Sequence, residues 1–284
     1  VNYLRLFGDV HGYIRSYAEI AKQVPCSIQV GDMGFDYKKL SDLDPARHVF
    51  VGGNHDNYTL KQRPDLSPDD PKVLDPRSRF TFVETCEKFY LDLDEEFLIT
   101  TRDHLPQFEE DMVCEYDSMP PNYLGDYGWW EIPGLNGKKL FFVRGAWSID
   151  GRSRRRNNWG WWPREQMSMK ECEQAIAYYE QEKPDFVVTH TCPLVLMEKM
   201  HLGWSGKPIP NATNRMFNLM IQIHQPKIWV FGHFHQQFSH RLGETRFIGL
   251  SDFPNHGWSL DFDEHLDFIG FDEYKSIEQR LYPR

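Results

Sequence analysis

An α/β sandwich with its functional groups gathered at the carboxyl ends of strands is the fold this sequence predicts, on three observations. Short apolar runs recur along the chain, amphipathic stretches with helical spacing lie between some of them, and the runs end in clusters of Gly, Asp, Asn or His. Short apolar runs bounded by turn formers read as buried strands. Strands that alternate with helices build layered α/β domains whose sites lie at strand ends.

The strands are expected at Tyr3 to Phe7, Cys26 to Val30, His48 to Val51, Leu140 to Val143, Phe186 to Val188, Ile228 to Phe231 and Phe247 to Leu250. Ile14, Tyr17, Ala21 and Val24 share one helical face, as do Met216, Leu219, Met220 and Ile223. A third helix, carrying Cys172, Ala175, Ile176 and Tyr179, opens on a capping box from Ser168 to Glu171 and stops before Pro184. Lys61 to Pro120 breaks the alternation with Pro64, Pro68, Pro71, Pro76 and the acidic runs Asp92, Asp94, Glu95, Glu96 and Glu109, Glu110, Asp111. It reads as an insertion within a single domain of residues 1–284, either capping or flanking the core or forming a surface excursion.

Charge narrows the function classes. The 284 residues hold 32 Lys plus Arg against 42 Asp plus Glu, a net charge of -10, which disfavours nonspecific duplex DNA binding. Residues 61–120 contain 16 acidic and 7 basic residues, so nearly all the net charge belongs to the insertion. Such a segment is a candidate filter against long polyanions. No run approaches the roughly 18 apolar residues of a membrane span. The five cysteines, Cys26, Cys86, Cys114, Cys172 and Cys192, are scattered without a C-x-x-C pair, so a reducing cytoplasm is the expected home. Of the nine tryptophans, most are expected to fill the core and some to offer a stacking wall.

Chemistry is concentrated in five short groups: Gly8-Asp9-Val10-His11-Gly12, Gly31-Asp32, Gly53-Asn54-His55-Asp56, Thr189-His190 and Gly232-His233-Phe234-His235. Each follows an expected strand. Side chains two apart in extended backbone point the same way, so Asp9 and His11 can reach one ion. Carboxylates, imidazoles and one amide oxygen would form a mixed O/N shell suited to Mn, Fe, Zn, Co or Ni.

In these five blocks, anchored across residues 8–235, the chain resembles the calcineurin-like metallophosphoesterase superfamily, with a fainter likeness to phage and bacterial members around Tyr123 to Gly128 and Arg144 to Asp150. The resemblance implies a four-layer α/β/β/α sandwich with a two-metal site on one edge, in a bacterium or a phage-infected cell. It implies Asp9, His11, Asp32 and His235 as ligands of one divalent ion, and Asp32 as a bridge with Asn54, His190 and His233 for a second. Two such ions hold phosphoryl oxygens and lower the pKa of a bridging water, giving a hydroxide that attacks phosphorus.

The resemblance assigns His55 as the general acid or cationic stabiliser and Asp56 as the group that orients it. Arg144 and Arg152 are the expected phosphate contacts, since guanidinium pairs with phosphoryl oxygens in two places at once. The serine/threonine phosphoprotein phosphatases carry Arg-Gly after the second block and Glu after Gly-Asn-His, whereas this chain has Met33-Gly34 and Asp56. Phosphomonoesters, small-molecule, nucleotide or protein-borne, are the expected substrates. The alternatives are cyclic nucleotides, dinucleotides or nucleic-acid ends cleaved as diesters, and more remotely a non-catalytic metal-binding scaffold.

Overall fold

A computed structural model describes residues 3–58, 119–157, 162–167, 169–197, 199–200 and 211–270. The expected insertion at 61–120 and the capping serine Ser168 therefore lie outside the described residues, apart from Met119 and Pro120 at the insertion's end. In chain order the described elements begin with β1 (Leu4–Phe7), α1 (Ile14–Ala21), β2 (Cys26–Gln29) and β3 (His48–Phe50), and resume with β4 (Tyr127–Glu131), β5 (Lys139–Val143) and α2 (Gly151–Asn157). Then come α3 (Met169–Glu182), β6 (Phe186–Thr189), α4 (Leu194–Met197), α5 (Ala212–Ile223), β7 (Ile228–Phe231), β8 (Phe238–Leu242), β9 (Thr245–Gly249), β10 (Ser259–Phe262) and β11 (Phe268–Gly270).

The strands form two mixed sheets, one in the order β11-β10-β1-β2-β3 and the other in the order β4-β5-β6-β7-β9-β8. In the first, β1, β2 and β3 are parallel, with antiparallel β10 and β11 beyond β1. In the second, β5, β6, β7 and β9 are parallel, with antiparallel β4 and β8 at the edges. Parallel strands of this kind are covered on both faces, and the side chains say by what.

Along β5, Leu140 and Phe142 enter one cluster with Leu4, Leu6, Ile28 and Val188, while Phe141 and Val143 enter another with Ala175, Tyr179, Phe217 and Trp229. The two-residue period of a strand thus divides one apolar run between the space between the sheets and the space under α3 and α5. A third cluster, with Phe7, Ile14, Tyr17 and Trp258, packs α1 on the outer face of the first sheet. Three cores make four layers, as the family resemblance implies. On that outer face Arg5 sits opposite Asp261 in register and grips its carboxylate at 2.7 and 2.5 Å, both side chains buried. No helix among the described residues is long and apolar enough to cross a membrane.

Candidate metal centre

The loops after β1, β2, β3, β6 and β7 meet at one place, carrying Asp9, Asp32, Asn54, His190 and His233 with them. The backbone reason differs from the one expected for Asp9 and His11. Extended backbone does not align them, because His11 turns into the left-handed region at φ +47°, as do Asp32 (+58°), His233 (+69°) and His235 (+52°). Each such residue costs on the order of 1–2 kcal/mol, and Asp and His tolerate it better than most side chains. Two glycines allow the close approach. A Cβ on Gly53 would lie 2.3 Å from Asp32 Oδ1, and one on Gly232 would lie 2.2 Å from Asp9 Oδ1.

Two groups of ligand atoms result. One atom from each of Asp9, His11, Asp32 and His235 lies within 4.8 Å of the others, and the same holds for Asp32, His190 and His233. Asp32 belongs to both groups. Asn54 joins the second, since its Oδ1 lies 3.0 Å from His190 Nε2, which in turn is 3.2 Å from Asp32 Oδ1. In the first group His11 Nε2 faces His235 Nε2 at 2.8 Å, and His235 Nε2 lies 3.3 Å from Asp9 Oδ2. Two imidazole nitrogens and a carboxylate aimed at one spot, beside fully buried Asp9 and nearly buried Asp32, form a donor set that fits a divalent cation.

The charges are tightly coupled. Burial works against charge on both Asp32 and His190, yet each holds the other ionised across their contact, so Asp32 lies well below the usual carboxylate range and His190 rises to about 9. Burial and then the neighbouring His190 push His233 down to about 3, leaving a neutral imidazole, the form that ligates metals. Burial also lowers His55, against the pull of Asp32. His190 Nδ1 meets the Val30 carbonyl at 2.9 Å, which fixes the ring and aims Nε2 at the centre.

His55 is half-buried beside the first group, its ring 5.1 Å from that of His11, while its backbone N–H donates to Asp32 Oδ1 at 2.6 Å. Its imidazole belongs to neither ligand group. Asp56 differs from expectation. It is fully buried and accepts from the N–H groups of Asp32 (3.0 Å), Gly53 (2.7 Å) and Gly34 (3.3 Å) and from the Tyr37 hydroxyl (3.2 Å). It therefore ties the β2 and β3 loops together rather than orienting the His55 ring. Burial and then the Asp32 charge push its carboxyl up to about 7, against the pull of these N–H groups.

Arg144 is also corrected. Its side chain is fully buried, pairs with Asp126, donates to the Arg164 carbonyl and lies 4.9 Å from the Tyr58 ring centroid, so it braces the loop after β5 instead of facing solvent-borne phosphate. Arg152 lies on α2, with its side chain outside the described residues. Sequence reasoning missed Ser148, Arg154 and Glu165, which contact one another, the first two also touching Asn54. Ser148 and Arg154 sit in the stretch singled out for Arg144 and Arg152, but nothing in the spacing marks them. Trp229 and Trp258 fill the core as expected, and Trp162 lies 5.1 Å from half-exposed Phe35, ring to ring.

The family model for calcineurin-like phosphoesterases matches residues 4–237, most of the chain. The chain belongs to that family. As a calcineurin-like phosphoesterase it is a metal-dependent phosphoesterase, from a family that depends on two metal ions, and it carries candidate ligands for both. No curated protein matches it in sequence. Among solved structures it is similar to a phosphopantetheinyl hydrolase from Mycobacterium tuberculosis, with 14% identity over 91% of this chain and 94% of that one and a TM-score of 0.41. A dimetal phosphatase from Danio rerio shares 12% identity over 92% of each chain, with a TM-score of 0.43. A putative 5'-nucleotidase from Staphylococcus aureus shares 13% identity over 94% of this chain, which spans only 52% of that protein, with a TM-score of 0.43.

Proposed function

We propose that this phosphoesterase hydrolyses small phosphomonoesters at a centre of two divalent ions, Mn²⁺ first among them. The observation that carries the reading is the convergence of Asp9, His11, Asp32 and His235 in one ligand group and Asp32, His190 and His233 in a second, with the Asn54 amide oxygen beside it. Asp9, His11, Asp32 and His235 hold one ion; Asp32, Asn54, His190 and His233 hold the other. Bound there, the ions supply charge neutralisation for phosphoryl oxygens and a water of lowered pKa.

The chain's own residues do the rest. His55 stands next to the first group with an imidazole that no ligand group uses, and delivers a proton to the departing ester oxygen, a contribution of about 10²- to 10⁴-fold. Asp56 holds the Asp32 and Gly53 backbones so that both ligand loops keep their spacing. Arg152 is the proposed cationic contact of the phosphoryl group, from the first turn of α2. The acidic composition of residues 61–120 supports small esters over long polyanions.

The test is parallel turnover of p-nitrophenyl phosphate, bis-p-nitrophenyl phosphate and a nucleotide panel by Mn²⁺-loaded chain. Faster monoester turnover, lost in His190→Ala, is expected. Faster diester turnover would replace the monoester reading with a phosphodiesterase, and a fully metal-loaded chain inert toward the whole panel would leave only a metal-binding scaffold.

A further inference from the structure

The Asn54 side chain ends in an oxygen and an NH2 group of nearly equal shape, and only the oxygen can serve a cation. Its surroundings decide which end faces His190. Asn54 Nδ2 donates to Ser148 Oγ at 3.0 Å, and Oδ1 lies 3.0 Å from His190 Nε2 on the other side. A hydroxyl has one proton to give and two lone pairs to receive. Ser148 gives its proton to Glu165 Oε2 at 2.7 Å, and Arg154 Nη1, which can only donate, occupies one lone pair at 2.7 Å. One lone pair remains, and only an NH2 group can use it. A reversed amide would set Oδ1 against a hydroxyl oxygen with no proton left and turn the NH2 toward the ligand group.

The selector is itself fixed. The Ser148 N–H donates to Glu165 Oε1 at 2.8 Å, and Arg154 also donates to the Asn54 backbone carbonyl at 3.1 and 3.2 Å. Arg154 and Glu165 lie 3.9 Å apart, which neutralises the pair. Asn54, Ser148, Arg154 and Glu165 are all at most 3% exposed, so bulk water does not compete for these bonds.

We infer that Ser148, held by Glu165 and Arg154, is a positioning residue that fixes the Asn54 amide with its oxygen toward the second ligand group. The inference rests on the reading of Asn54 as a ligand given above. Partners that orient a ligand in this way contribute about 10- to 100-fold to metal affinity.

The experiment is calorimetric titration of metal-stripped full chain with Mn²⁺, for the wild type, Ser148→Ala, Asn54→Asp and the double variant, with melting curves of each apo form. Ser148→Ala is expected to weaken one of two ions by about 10- to 100-fold and leave the other unchanged. Asp presents an oxygen whichever way it turns, so in the Asn54→Asp background Ser148→Ala should cost little further affinity. Wild-type binding of both ions by Ser148→Ala would overturn the inference, as would equal weakening of both ions or an undiminished loss in the Asn54→Asp background. If Ser148→Ala does not fold, Glu165→Gln replaces it, since an uncharged amide no longer commits the serine proton, and a smaller loss confined to the same ion is expected; unchanged affinity there overturns the inference. Undiminished binding of both ions by Asn54→Ala is a distinct result, which removes Asn54 as a ligand and with it the reading beneath.

Discussion

The two halves of the centre are built differently. Around Asp9 the imidazoles are open to solvent, with the His11 side chain 24% and the His235 side chain 46% exposed. On the other side of Asp32, His190 is fully buried, its ring is held by the Val30 carbonyl, and Asn54 is held by Ser148. Left-handed backbone shapes both halves, at His11 and His235 in the outer one and at His233 in the inner one. The inner half adds a shell of hydrogen bonds around His190 and Asn54, whereas the outer half relies on a close His–His contact between more open imidazoles.

Removing what the halves share should have the largest effect. Asp32→Asn is expected to weaken both ions and lower turnover by on the order of 10³-fold or more, checked by metal analysis and steady-state kinetics. Retention of two ions with near-normal turnover would break the comparison at its hinge. Next is His55→Ala, which should keep both ions but lose about 10²- to 10⁴-fold in rate, most with poor leaving groups. Equal slowing across a leaving-group series would count against proton delivery.

A matched pair sharpens the contrast. His190→Ala should abolish binding of one ion, because it removes a buried, hydrogen-bonded ligand and leaves Asp32 without its partner. His235→Ala, at a site water can enter, should weaken its ion by a smaller factor. Equal losses would mean that burial does not separate the halves. The smallest effect on catalysis is expected behind the site, where Arg144→Met should lower the melting temperature through loss of the buried Arg144 contacts to Asp126 and the Arg164 carbonyl while KM for p-nitrophenyl phosphate stays in place. A raised KM in a chain of normal stability would restore Arg144 as a substrate contact.

Much of this was legible in the sequence, for reasons that differ by element. Buried parallel strands such as β6 and β7 are continuous apolar runs and stand out, and helix α5 shows helical apolar spacing, although of its expected face only Met216 and Met220 are buried while Leu219 and Ile223 are exposed. The strands overlooked, β4, β8, β10 and β11, are antiparallel additions; β8 (FSHRL) is only partly buried and carries polar residues that give no apolar run. The candidate ligand residues stand out because each follows a strand and pairs with Gly, Asp or His in a short block, and the structure brings them together. Glu165 and Ser148 were not, since a serine beside a carboxylate acquires meaning only when a distant loop brings an amide to it. Arg144 misled because a cation after a strand reads as a phosphate contact until Asp126 and Tyr58 are seen to enclose it.

Whether two ions share Asp32 and act together is read from turnover of p-nitrophenyl phosphate against Mn²⁺ equivalents added to metal-stripped chain. Two ions should bind per chain, with activity rising mainly on the second equivalent. Full activity at one equivalent, or activity indifferent to metal, would contradict that.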